Sequence, residues 1–345
     1  MKHYNLSRFC LSVLLIFSFQ ALFAQDIHYI QFDATPLAVN PAFTGMFDGN
    51  MRVSALYRNQ WASVTVPYIT YGASVDAPVY TDKHGNYLAA GLQVYKDEAG
   101  DGNLSNFSSM ASVAYHKFFG SAKKIKDNHS SELGIGLQAG YFQKSIDITS
   151  MFFGNAYPDG NYWLGLGNSV NYYSVNTGLC FSQGLGSKFN YTVGLSGYNL
   201  TQPHDAMLQT QNKEVGLDKS FSGVFGANWM VADRLSLRPS VLYISRQELT
   251  AVIVGNEFHY VVIKKQANKN ATSVFLGGWY RTGDVTSITA GIEFRRLRIG
   301  MGYDYNIKPL NTSDGSNGGF EVSVRYIGPS RLSSSRKRVI PSNSF

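Results

Sequence analysis

Apolar and polar residues alternate along most of this chain from Met51 onward. Alternation with a period of two places the two kinds of side chain on opposite faces of a β-strand. The clearest example is 287–294, where the apolar positions are Ile288, Ala290, Ile292 and Phe294. About fourteen such segments are separated by turn residues: 51–58, 68–76, 86–97, 104–119, 131–145, 170–183, 188–199, 219–231, 234–245, 249–264, 272–282, 285–295, 297–306 and 318–327.

This pattern favours a barrel that spans a membrane. Many segments approach the ~9–11 residues that a tilted strand needs to cross a bilayer. Backbone groups in a bilayer must all be paired, so the sheet has to close, with its apolar face toward lipid and its polar face toward the lumen. A soluble β-sandwich, the alternative, would need fewer and shorter strands and a more charged surface. We therefore predict an all-β fold, a transmembrane antiparallel β-barrel of about 14 strands over residues 51–327, in contact with outer-membrane lipid.

The composition agrees with a barrel. Charged residues make up only 15% of the chain, against about 25% in soluble domains. The predicted lumen-facing positions are rich in glycine, at 134, 136, 140, 300 and 302, and crowding or sharp curvature inside the barrel would explain this. Aromatic residues near segment ends suit the girdles of outer-membrane barrels: Tyr57, Trp61, Tyr95, Trp229, Tyr243, Trp279, Tyr280 and Tyr326.

The two ends of the chain differ from the barrel. Residues 1–24 have the basic start, apolar run and small residues of a secretory signal peptide, with cleavage before Gln25; the run is short for an uncleaved membrane anchor. Residues 328–345 form a basic, flexible tail. It is either a solvated end or an arm that docks on a partner or on anionic lipid. These ends carry most of the net charge of +7, so the charge does not indicate nucleic-acid binding.

Residues 25–50 form an irregular lead-in segment between the signal peptide and the barrel. They contain too many turn residues for a lipid-facing strand, yet also six apolar residues that need burial: Phe32, Leu37, Val39, Phe43, Met46 and Phe47. We predict that this segment lies in or across the periplasmic mouth of the barrel as a plug. Arg58, on the lumen-facing side of its strand, is the predicted charged partner of this plug. The alternative is that Arg58 pairs with a neighbouring lumen carboxylate.

Connection lengths predict the orientation of the barrel. An even strand count puts both termini at the same end. The long connections 146–169, 200–218 and 306–317 then fall at one end, and the tight turns at 232–233 and near 296 fall at the other. Outer-membrane barrels have short periplasmic turns, so we predict periplasmic termini. The long connection 120–130 and the short one at 283–284 are exceptions.

No arrangement of residues in the chain indicates catalysis. The seven histidines are scattered without metal-ligand spacing, and the nucleophile motif G-x-S-x-G is absent. Gly100–Asn103 is typical of a turn rather than a calcium loop. Only Cys180 remains after the signal peptide, so a disulfide within the mature chain is excluded. We predict a protein without enzymatic activity, cofactor or metal.

Several motifs resemble those of the PorP/SprF family, outer-membrane proteins of the type IX secretion and gliding-motility machinery of Bacteroidota. They are NPAFTG (Asn40–Gly45), YRNQW (Tyr57–Trp61), SVDAP (Ser74–Pro78) and the closing pattern in 300–311 and 319–322. The basic tail beyond Gly328 departs from the family. The family motifs and candidate contacts between plug and lumen comprise Asn40, Pro41, Ala42, Gly45, Arg58, Gln60, Trp61, Asp76, Tyr303, Asp304 and Glu321.

The resemblance implies a non-enzymatic component of the type IX machinery. Some such proteins anchor periplasmic ring and peptidoglycan-binding subunits, and others receive a large surface adhesin through its C-terminal sorting domain. Two other functions stay open. An Asn-Pro-Ala after an N-terminal segment is also similar to fatty-acid transporters of the outer membrane, so a porin or solute channel is the main alternative. An outer-membrane hydrolase is the third, and it has no candidate residues.

Overall fold

Fourteen antiparallel strands close into a barrel. The computed structural model describes residues 30–60, 67–99, 104–119, 130–146, 169–203, 217–246, 249–263, 271–283, 285–307 and 318–329. The strands are β1 (Arg52–Gln60), β2 (Tyr68–Thr81), β3 (Tyr87–Ala99), β4 (Leu104–Phe119), β5 (Ser131–Ser145), β6 (Ser169–Gly184), β7 (Phe189–Tyr198), β8 (Ser220–Ala232), β9 (Leu235–Arg246), β10 (Leu249–Ile263), β11 (Thr272–Arg281), β12 (Val285–Phe294), β13 (Leu297–Asn306) and β14 (Gly319–Ile327).

The strands pair in sequence order, and the sheet closes where β1 meets β14. The closing ladder pairs Arg52 with Ile327 at one end and Gln60 with Gly319 at the other. The predicted class, closure and strand count are confirmed. Several strands are longer than the alternation indicated, with β2 reaching Thr81 and β6 spanning 16 residues.

Side chains alternate between a lumen-facing and an outward-facing row. In β1, Arg52, Ser54 and Arg58 are buried, whereas Val53 between them is 39% exposed. The outward row is apolar along most strands, as in Leu133, Ile135 and Leu137 of β5. This is the distribution that a barrel in lipid requires.

Two aromatic residues assigned to the interfacial girdles face the lumen instead. Tyr95 and Trp279 are only 6% and 7% exposed. The edge of the Trp279 ring packs against Phe32, with ring centroids 5.2 Å apart. Apolar or aromatic residues occupy both faces of β11, so the alternation of apolar and polar residues did not show which face carries Trp279. The girdle prediction also included Trp61, which lies outside the described residues.

The two ends of the barrel carry different connections. We call one the turn end, because the short connections 82–86, 185–188, 233–234 and 295–296 lie there, together with the start of β1 and the end of β14. The other is the long-loop end, where 146–168, 199–219 and 307–318 connect the strands.

Residues 30–47 lie inside the barrel, and we call this segment the plug. Its elements are a 3₁₀ helix at Phe32–Ala34, helix α1 at Pro36–Val39 and a second 3₁₀ helix at Pro41–Phe43. Proline occupies the first position of both α1 and the second 3₁₀ helix, where its missing N–H costs no hydrogen bond. Among the described residues, no helix has the length and apolar character needed to cross a membrane.

Candidate functional site: the plug and its seat in the lumen

The plug is buried along its length except at Asp33 and Ala38, which are partly buried. Phe32, Leu37, Ala42, Phe43 and Phe47 are each at most 2% exposed. The six apolar side chains that the sequence marked for burial are all inside the lumen. A segment with its own apolar surface thus fills a lumen whose wall is largely polar. The predicted part of the lead-in before Ile30 lies outside the described residues.

Asn40 fastens the middle of the plug to the wall. Its side-chain Nδ2 donates to the carbonyls of Leu179 (3.0 Å) and Leu195 (3.1 Å), on the neighbouring strands β6 and β7. Its Oδ1 accepts a 2.8 Å hydrogen bond from the Ala42 N–H and so caps the second 3₁₀ helix. Asn40 is fully buried, and the side chain uses both amide donor and acceptor. Pro41 sets the backbone that brings these groups into place.

Wall glycines form the seat for Asn40-Pro41-Ala42. A Cβ added at Gly178 would lie less than 3.0 Å from Asn40 Oδ1, and one at Gly136 would lie less than 3.0 Å from the backbone of Pro41 and Ala42. Gly136 and Gly178 are directly paired across β5 and β6. Gly136 and Gly178 are therefore explained by crowding, one of the two expected causes, and the crowding comes from the plug backbone at Gly136 and from the Asn40 side chain at Gly178.

A second glycine site receives the start of the plug. A Cβ at Gly300 of β13 would lie less than 3.0 Å from the Gln31 side chain, and one at Gly302 would lie 3.1 Å from Ile30. The Gln31 side chain accepts a 2.8 Å hydrogen bond from Ser323 of β14. The plug therefore touches opposite parts of the wall, at β5–β7 and at β13–β14.

A buried ion pair holds the plug near the turn end. The Arg52 guanidinium binds the Asp76 carboxylate through two bonds of 2.9 and 2.8 Å. Arg52 also donates to the Phe43 carbonyl (2.9 Å), and Asp76 accepts from the Gly45 N–H (2.7 Å). Gly45 has φ of +76°, a conformation that favours glycine. The sequence named Asp76 and Gly45 but missed Arg52, although Arg52 is the second residue of the first alternating segment.

Glu321 holds the start of the plug. Its carboxylate accepts hydrogen bonds from the Ile30 N–H (2.9 Å) and the Gln31 N–H (2.8 Å). Arg58 pairs with Glu321 (3.2 Å) and with Asp304 (2.5 Å). These contacts agree with the alternative interpretation of Arg58, in which it pairs with a neighbouring lumen carboxylate. Glu321 is the residue that links this cluster to the plug.

Further lumen charges bind the plug through Asp33, a contact that the sequence did not predict. Arg298 lies 3.2 Å from the Asp33 carboxylate and also pairs with Glu257 (2.9 Å). Arg325 donates to the Asp33 carbonyl (3.0 Å). The only available signal was an acidic residue inside an otherwise apolar segment.

The remaining predicted residues lie in different places. Tyr303 is 50% exposed on the outward face, so it is not a lumen contact, because its position in β13 has the outward parity. Gln60 ends β1, opposite Gly319 of β14 and Tyr68 of β2. Trp61 lies outside the described residues.

A cavity of about 270 Å³ lies between the plug and the long-loop end. Phe32, Ala38 and Val39 of the plug line one side of it. Its wall includes the last residue of β7 (Tyr198) and the first of β8 (Ser220). The plug therefore forms one wall of a cavity that faces the long-loop end.

The model of one protein family matches nearly the entire chain. It is described as "Type IX secretion system membrane protein PorP/SprF", and it covers residues 21–326. The chain belongs to the PorP/SprF family. The match spans the plug, its glycine seats and every strand of the barrel. A comparison with curated proteins gives no match.

Solved structures similar to this PorP/SprF protein are barrels of low sequence identity. The CymD monoaromatic hydrocarbon channel is 10% identical with a TM-score of 0.49, over 87% of this chain and 94% of that one. The Ralstonia pickettii toluene transporter TbuX is 10% identical with a TM-score of 0.48, over 86% and 94%. The KdgM porin is 8% identical with a TM-score of 0.34, over 79% and 98%.

Proposed function

We propose that this protein is a non-enzymatic docking component of the type IX secretion machinery, with its lumen held closed by the plug. In this role it receives a secreted adhesin's C-terminal sorting domain or anchors periplasmic ring components. The assignment to the type IX machinery rests on membership of the PorP/SprF family. The observation that favours docking over solute transport is the buried plug, which is bound to the wall by charged groups at both of its ends.

The plug contacts are strong enough to keep the barrel closed. Four hydrogen bonds join plug backbone groups to charged lumen side chains, two at Glu321, one at Asp76 and one at Arg52. Hydrogen bonds to charged groups contribute about 1.5–3 kcal/mol each, so together they resist withdrawal by at least about 6 kcal/mol. That corresponds to an open population below roughly one in ten thousand. Partners are then received at the two ends and the outer surface of the barrel, without passage through its lumen.

Charge at the turn end supports a partner on that side. Basic side chains at this end are Lys83, Lys117, Lys188, Arg234, Arg295 and Arg296, whereas the acidic ones among the described residues are Asp48, Asp82 and Asp233. Short turns face the periplasm in outer-membrane barrels, so this end, with the start of β1 and the end of β14, faces the periplasm in our proposal. An acidic surface on a periplasmic subunit would be complementary to it.

Two experiments on cells test the docking function. The gene is deleted, and surface display of adhesins, gliding and secretion of all type IX cargo are measured. We expect loss of one adhesin's display or of gliding, restored by the wild-type gene. The barrel is then purified from detergent-solubilised outer membranes, and its co-purifying proteins are identified. An adhesin supports the receptor role and ring subunits support the anchor role, whereas unchanged secretion and gliding contradict the proposal.

A solute channel is the second candidate, favoured by the cavity at the long-loop end. Its test is conductance and solute uptake in vesicles that contain the purified protein. A barrel closed by the plug gives no conductance, and a variant with plug contacts removed gives measurable conductance. Robust conductance or uptake by the wild-type protein would support the channel and contradict the closed docking component.

A further inference from the structure

The cavity above the plug presents an apolar surface although many polar residues surround it. Several of their polar atoms are used elsewhere: Gln138 donates to the Leu37 carbonyl (3.3 Å) and accepts from Asn176 (2.8 Å). The Tyr198 hydroxyl donates to the Ala38 carbonyl (2.9 Å). The surface left for a ligand is therefore mainly apolar, and it includes rings, methyl groups and the Met110 side chain.

Aromatic rings and a sulfur surround this space. Phe32 of the plug contributes to the floor, Phe142 and Tyr198 contribute to the wall, and Met110 lies on β4 beside them. The Phe142 ring is itself held by parallel stacking on Tyr172, with centroids 5.1 Å apart. Rings pack well against other rings and against thioether sulfur, with a gain beyond the area buried.

The volume limits the ligand to a small one. Pockets for drug-sized molecules measure about 300–1,000 Å³, and this cavity has about 270 Å³. A single ring with a few substituent atoms fits such a space. Polar and charged groups lie where the strands end, at Asp97, Asn199 and Arg246, so a polar substituent on the ring is accommodated there.

We propose that this cavity binds one aromatic ring, carried either by a small free compound or by an aromatic side chain of a partner protein. The plug provides the floor of the site, so the site exists only while the plug is seated. The inference does not depend on the docking function, because ring binding is measured on the purified protein and docking is measured in cells.

Binding is tested by ¹⁹F NMR on the full-length protein in nanodiscs. The probes are 4-fluorotoluene, for a free compound, and N-acetyl-4-fluorophenylalanine amide, for a side chain. Ala38→Phe fills the cavity from its floor, and Ala111→Phe makes the same change on the outward face of β4, where Ala111 is exposed. We expect saturable binding to wild type and to Ala111→Phe, and at least tenfold weaker binding to Ala38→Phe.

A second variant is needed because Ala38 belongs to the plug, and a phenylalanine there can also displace the plug. Met110→Ala enlarges the cavity without adding volume, so the two-ring probe 5-fluoroindole should bind this variant at least tenfold more tightly than wild type. The affinities of wild type for the first two probes are then compared. If 4-fluorotoluene binds more tightly than the amide, the source of the ring is a free compound, and if the amide binds more tightly, the source is a side chain. Absence of saturable binding by both probes, equal binding to Ala38→Phe and wild type, or no gain for Met110→Ala would each overturn the proposal.

Discussion

The contact between Asn40 and Gly178 allows a quantitative test of how the plug is held. Asn40→Ala removes three hydrogen bonds of 2.8, 3.0 and 3.1 Å, each with a net contribution of about 1 kcal/mol. We expect the free energy of plug opening to fall by about 3 kcal/mol, which is roughly a 100-fold increase in the opening equilibrium. Gly178→Ala places a methyl group where Asn40 Oδ1 lies, so it should expel the Asn40 side chain and cost a similar amount.

The double variant distinguishes this contact from general damage. Once Asn40 is alanine, the two nearest atoms to the methyl group at position 178 are gone, and the Ala42 nitrogen at 3.1 Å is a contact that a small shift relieves. The two changes together should therefore cost about 3 kcal/mol rather than about 6, a coupling of about 3 kcal/mol. Coupling of this size is expected only between groups in direct contact. The matched control is Gly223→Ala, whose added Cβ would lie 3.6 Å from Leu195, an ordinary contact.

Hydrogen exchange followed by mass spectrometry measures the effect directly. Peptides from the plug report its opening, and peptides from the strands report barrel opening in the same sample. We expect faster exchange in plug peptides of both single variants, no further acceleration in the double variant, and unchanged strand peptides. Additive costs, or plug exchange in Gly178→Ala that matches Gly223→Ala, would refute the assignment of Gly178 as part of the seat.

Three further predictions concern the charged groups. Arg52→Ala leaves Asp76 buried without its cation, so it should lower barrel stability by about 3–5 kcal/mol, seen as a lower midpoint of heat-induced mobility change on gels. Glu321→Gln keeps the side chain's size but loses the charge that binds two plug N–H groups, so exchange at the start of the plug should rise roughly tenfold or more. Arg234→Glu with Arg295→Glu, at exposed turns, should leave the fold intact and reduce co-purification of a periplasmic partner, most clearly at low salt.

Each of these predictions has its own control. Arg52→Ala combined with Asp76→Ala should be less harmful than Arg52→Ala alone, because no unpaired charge remains; an equally unstable double variant contradicts the pairing argument. Unchanged exchange in Glu321→Gln would mean that the charge does not hold the plug. Charge reversal at Glu98, an exposed residue at the other end of the barrel, should leave partner recovery unchanged.

The barrel was predictable because the alternation of apolar and polar residues is a local property of the sequence. A period of two needs only neighbouring residues, and it located all fourteen strands, although it gave their ends less well. The same period places Tyr303, which was named as part of the family motif, among the outward residues, where the structure has it. The prediction that Trp279 lies in a girdle was wrong for another reason. Apolar residues occupy both faces of β11, so alternation there does not show which face is turned toward lipid.

The site was predictable only in part because its contacts are distant in the chain. The apolar residues of the lead-in require burial wherever they lie, which indicated a plug. The contacts of Asn40 with β6 and β7 span 139 and 155 residues, and they depend on the strand register. The pairing of Arg52 with Asp76 likewise follows from the β1–β2 register, which the sequence pattern did not give.

The contacts of Glu321 have a consequence for how the chain assembles. This residue lies on the last strand, yet it binds Arg58 of the first strand and the backbone of Ile30 and Gln31. The seam between β1 and β14 joins the two ends of the barrel sequence, so it is the last ladder that a sequentially inserting sheet can complete. A slip of one residue there would turn Glu321 or Arg58 toward lipid, where a charge is costly. The charged cluster therefore selects the register in which the first strand, the last strand and the start of the plug meet inside the barrel.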